Sequence, residues 1–160
     1  MDSLKGYLDI IAESLDKKLK VLKQVEAMNE KQRSILMAEE FDMDAFETTV
    51  DDKSKLAEEL ERLDDGFSAV YDRVRAELPT MKESYKTEIT LIKKLVKEIT
   101  DSSVAIQGEE TRINAMFKNV VTREKSGVKE TRRSSSMANN YYKVMKKVDA
   151  ATPQFFDQNS

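Results

Sequence analysis

Among the 160 residues there is no histidine and no cysteine, which removes most of the reactive groups that a protein surface can carry. Ser-His-Asp and Cys-His nucleophiles, a phosphoryl-accepting histidine, thiolate zinc sites and Glu-x-x-His di-iron bundles all require one or the other. Paired carboxylates, which can supply acid–base or metal chemistry, occur as Glu39-Glu40, Asp51-Asp52, Glu58-Glu59 and Asp64-Asp65. Each pair is adjacent in sequence, so on a helix its members splay apart and read as solvated faces. Arg132-Arg133-Ser134 is a basic-serine tract of the kind a kinase or a phosphate could address, and such tracts are also common in polar tails. No Gly-rich phosphate loop is present. The expectation is a non-enzyme with no catalytic, cofactor-binding or metal-binding residues.

What such a chain can still do is bind, and helices must position the binding surfaces. Four Gly and two Pro leave few places to turn, 36% of residues are charged, and mean hydropathy is -0.60. Long amphipathic helices supply that much wetted surface. Leu4, Leu8, Ile11, Leu15, Leu22, Val25 and Leu36 share a three-four spacing, widened by Leu19, Met28 and Ile35. They predict a first helix of about 35 residues, roughly 50 Å long. Asp42 and Asp44 are spaced to cap a second helix, and Asp44 with Glu47 forms a capping box. The second stripe runs Phe46, Val50, Leu56-Ala57, Leu60, Leu63, Phe67, Val70-Tyr71 and Val74, with Lys53 where an apolar residue is expected. It keeps its phase through Asp65-Gly66, which predicts an unbroken helix there. Pro79 disfavours helix at Leu78, and Thr80 with Glu83 offers another capping box. A third stripe follows: Met81, Tyr85, Ile89, Ile92, Leu95-Val96, Ile99, Ile106, Ile113, Phe117 and Val120-Val121, with Ser102-Ser103 and Gly108 as the place for a kink. Short connections between helices of similar length make neighbours antiparallel. The predicted fold is all-α: an elongated antiparallel bundle of three long helices over residues 1–124, followed by a flexible basic C-terminal tail over 125–160.

Charge is distributed unevenly, at net +1 over 1–37, -9 over 38–78, +1 over 79–122 and +4 over 123–160. The tail opens with Lys125-Ser126-Gly127 and Arg132-Arg133-Ser134-Ser135-Ser136, which have no apolar period and read as a linker. Tyr141, Tyr142, Met145, Phe155 and Phe156 follow, and are expected to dock on a partner or on the protein itself. An acidic second helix and a basic tail attract one another or recruit different partners. The net charge of -7 over 1–122 opposes nucleic acid. No segment approaches the roughly 20 apolar residues of a membrane span, and Met1-Asp2-Ser3-Leu4-Lys5 leads into no uninterrupted apolar run. A soluble, cytoplasmic protein without stable membrane insertion is expected.

The third stripe is wider in places than two neighbouring helices need, at Leu95 with Val96, Met116 with Phe117 and Val120 with Val121. Surplus apolar width predicts a docking face for another amphipathic helix. The eight methionines suit an adaptable surface of that kind.

Across Ala38-Glu39-Glu40-Phe41-Asp42-Met43-Asp44-Ala45-Phe46, then Lys53, Leu56, Leu60, Leu63 and Phe67, the sequence resembles the FlgN family of flagellar export chaperones. That family has a long first helix, a short acidic connection and a helix with a lysine ahead of its leucine stripe. Phe41-Asp42 stands here where Gly-Asp is usual. Tyr141-Tyr142 and Phe155-Phe156-Asp157 are similar to the chain ends of such proteins from Gram-positive bacteria. The resemblance implies a cytoplasmic chaperone for type III secretion. It would bind the helical C-terminal segments of hook-filament junction proteins, keep them from assembling, and deliver them to the export gate. It also implies client binding through the C-terminal half, at Ile106, Ile113, Phe117, Val120 and Val121, and gate docking through Tyr141 or Tyr142. A structural reading stands beside it: a spectrin-like or coiled-coil spacer, or a homodimeric scaffold without a client, in which a second copy covers the spare stripe.

Overall fold

The structure, a computed structural model, describes residues 3–81 and 83–124 together with Ser136, Met137, Asn139, Lys143 and Lys146. Among them are three long helices, α1 (Ser3–Met37), α2 (Met43–Val74) and α4 (Lys86–Glu124), and one short helix, α3 (Leu78–Met81). The chain is an all-α bundle. α1 is its central member and packs along both α2 and α4. Lys18 meets Asp64 and Gln32 meets Thr49, so α1 and α2 are antiparallel. Glu26 meets Ser102 and Asn29 meets Glu109, which makes α4 parallel to α1.

The inward positions follow a heptad. On α1 they are Leu4, Leu8, Ile11, Leu15, Lys18, Leu22, Val25, Asn29, Gln32 and Leu36, all buried, at alternating steps of four and three. A side chain repeating every 3.5 residues keeps one stripe facing its partners along a supercoil. The apolar members are those the spacing predicts. Lys18, Asn29 and Gln32 fill the gaps, so they are core positions occupied by polar residues.

Both turns differ from expectation. The cap of α2 is Asp42, whose Oδ1 accepts from the Ala45 amide at 3.0 Å, while Asp44 sits inside the first turn. Asp42 takes the extended backbone that an N-cap needs, at φ -95° and ψ 97°. Between α2 and α4 the chain spends residues 75–85, including α3, and Thr80 is no cap: its hydroxyl donates to the Glu77 carbonyl at 2.8 Å. Pro79 lies in the first turn of α3, where its missing N–H leaves no hydrogen bond broken. α4 therefore begins at Lys86, about five residues later than the capping box predicts. α2 runs unbroken through Asp65-Gly66, and α4 continues through Gly108 as one helical element.

Candidate functional site

At the end of the bundle where α1 turns into α2, three aromatic rings from two helices and the turn form a cap. Phe46 of α2 stacks on Phe117 of α4, with centroids 4.8 Å apart and planes within 5°. Phe41, in the turn, tilts over both at 5.8 and 6.2 Å. Offset or tilted aromatic pairs contribute about 0.5–1.5 kcal/mol beyond the area they bury.

This cap corrects the expectation of a docking face on the third stripe. Ile106, Ile113, Phe117 and Val120 are all buried, and Val121 is half-buried. α1 and α2 together cover the stripe, so its apolar residues are core. In each doubled pair one member points inward (Leu95, Phe117, Val120) and its neighbour (Val96, Met116, Val121) packs on the core's margin. Doubling broadens the seam toward a second neighbouring helix.

One heptad further along lies a polar layer. Lys53 of α2 is 0% exposed and ion-pairs with Glu110 of α4. Its ammonium also donates to Gln32 Oε1 of α1 at 3.1 Å, and Gln32 Nε2 in turn donates to the Thr49 hydroxyl at 3.0 Å. Asn29 Nδ2 donates to Glu109 Oε1 at 2.9 Å. Burial lowers the Lys53 pKa from 10.5 to about 8, against the opposing pull of Glu110. Burial likewise raises the Glu110 carboxyl, with Lys53 opposing. Buried charge is tolerated only where it is paired, and this layer supplies a partner from each helix. A second ion pair, Lys18 to Asp64 at 2.8 Å, bridges α1 and α2, with Lys18 buried and Asp64 partly wet. The sequence marked Lys53 as an interruption of the stripe; the structure shows that it occupies a core position.

Two surface features could receive a ligand. Between α1 and α4 a cavity of about 310 Å³ is lined by Asn29, Arg33, Met37, Glu109, Arg112 and Met116, among others, and Met37 is exposed at its lip. The other lies on α2. Ser136, Met137, Asn139, Lys143 and Lys146 are helical, and Met137, only 5% exposed, belongs to the hydrophobic core. Ser136, Met137, Asn139 and Lys143 share with Glu47, Val50 and Asp51 of α2 a cavity of about 810 Å³. These five residues lie within the expected flexible tail, and there Met137 is buried while Lys143 lies on the same cavity as Glu47 and Asp51. Burying one methionine contributes roughly 1.5–3 kcal/mol, which offsets the ordering of only one or two residues at about 1–2 kcal/mol each.

Tyr141, Tyr142, Met145, Phe155 and Phe156, the expected docking residues of the tail, lie outside the described residues. Sequence reading passed over Met137, although Met137, Tyr141, Val144 and Val148 recur at steps of four, three and four. Among the described residues, no group of three or more His, Cys, Asp or Glu is arranged to hold a metal ion, and no helix is long and apolar enough to cross a membrane. No family model, curated protein or solved structure matches this chain.

Proposed function

We propose that this chain is an export chaperone of the FlgN kind, which holds the helical C-terminal segments of hook-filament junction proteins in the cytoplasm and hands them to the type III export gate. The observation that supports it is the seating of Met137 in the core beside α2. Met137 is an apolar anchor on a flank that also carries Glu47 and Asp51, and an apolar anchor with a charged rim is the means by which amphipathic helices dock in grooves. Isothermal titration of synthetic C-terminal peptides from the hook-filament junction proteins of the same genome into the full-length protein tests this. One-to-one binding at micromolar affinity or tighter is expected, and a flat titration overturns the reading. The burial of Ile106, Ile113, Phe117 and Val120 favours the spacer reading instead. That flat titration, with a monodisperse monomer or dimer in light scattering, is what a spacer would show.

A further inference from the structure

We propose that the Glu47–Val50–Asp51 face of α2 is a docking site for a basic amphipathic helix, and that its resident occupant is the chain's own segment 136–148, held in cis and displaceable by a competing helix. The first support is burial. Met137 is 5% exposed and part of the core, yet it lies beyond the bundle in sequence. The second is charge. Residues 136–148 contain three lysines and no acid, while residues 42–52 contain five acids and no base. Lys143 lies on the same cavity as Glu47 and Asp51. The third is pattern. In sequence, Met137, Tyr141, Val144 and Val148 form one helical apolar stripe, and Lys143, Lys146 and Lys147 fall between its members.

Displaceability follows from the packing. Core interfaces close to crystal-like density, whereas Ser136, Met137, Asn139 and Lys143 share with Glu47, Val50 and Asp51 an open cavity of about 810 Å³. One buried methionine cannot by itself offset the ordering of a whole segment. Tethering lowers the cost of association: eleven residues, 125–135, separate α4 from Ser136, and a short tether sets an effective concentration on the order of millimolar. An incoming helix must therefore outcompete the resident, so occupancy in cis sets the threshold for any external ligand of this face.

The inference stands apart from the export-chaperone reading, because its test uses no client. A fluorescein-labelled peptide of residues 134–150 is titrated by anisotropy into three full-length chains: wild type, Met137→Asp, and Met137→Asp with Glu47→Lys and Asp51→Lys. With its own anchor removed, the Met137→Asp chain should bind the peptide at least ten-fold more tightly than wild type. Charge reversal on α2 should return the affinity at least ten-fold toward none. Equal binding by wild type and Met137→Asp, or indifference to the charge reversal, overturns the proposal. Hydrogen exchange on the wild-type chain supplies a second measurement that needs no variant. Excess peptide should speed exchange across 136–148 and leave 46–54 protected, and unchanged exchange in 136–148 overturns displacement.

Discussion

At one level of the bundle Phe46 of α2 faces Phe117 of α4; seven residues along each helix, at equivalent inward positions, Lys53 of α2 faces Glu110 of α4. The helices, the seam and the degree of burial are the same, but the chemistry is opposite. The aromatic level is held by area and ring contacts, which are favourable in any register that brings apolar groups together. The polar level is held by donors and acceptors that pair in one register only. A slip of one heptad would set Lys53 against Phe117, or Phe46 against Glu110, and strand a buried charge. Buried polar residues at heptad positions are known to select register at a cost in stability. The comparison therefore separates what makes this bundle stable from what makes its alignment unique.

The sharpest way to break the comparison is to place a charge in the aromatic level. Phe117→Asp puts an unpaired carboxylate between Phe41 and Phe46 and removes a ring whose truncation alone costs about 3–5 kcal/mol. Loss of cooperative thermal unfolding by circular dichroism is expected, and a folded variant of near wild-type stability would return Phe117 to the surface. The next effect separates pairing from burial. Lys53→Met alone strands Glu110 and should cost about 3–5 kcal/mol in denaturant unfolding, whereas Lys53→Met with Glu110→Leu should be neutral or stabilising by about 1–4 kcal/mol. Equal destabilisation by both would mean that the pair contributes net stability.

The wild type and this double variant should also diverge with pH, in a sense that the two shifts define. Lys53 releases its proton near pH 8 when folded and near 10.5 when unfolded, so across that window the unfolded chain holds more protons and the relative stability of wild type rises. Glu110 is raised above its ordinary 4.5 when folded, so its contribution is fully present below that value and is lost as pH rises through the folded value. The pair should cost most at neutral pH and less on either side, and a flat difference would overturn its burial as the cause. The smallest effect concerns the wetter pair. Asp64→Asn removes the charge partner of buried Lys18 but leaves a polar, partly exposed side chain beside it, and the cost should be about 1–3 kcal/mol, below that of Lys53→Met. A cost as large as that of Lys53→Met would show that the two ion pairs are equally dry.

Sequence by itself determined the helical class, the membership of the three stripes and the continuity of α2 through Asp65-Gly66, because apolar residues at three-four spacing have one face to bury and no alternative period. It also located the acidic-to-basic polarity between α2 and the C-terminal segment. It misjudged the caps, since Asp42 and Asp44 are both residues that can cap a helix and only backbone geometry chose Asp42. Tertiary structure alone decided what Lys18, Asn29, Gln32 and Lys53 do. A polar residue on a stripe reads as an interruption until partners on other helices are in place, and those partners lie 17 to 80 residues away in sequence. For the same reason the width of the third stripe was legible but its meaning was not. Whether an apolar margin is a docking face or a seam depends on how closely the neighbouring helices approach, and side-chain spacing along one helix carries no information about that distance.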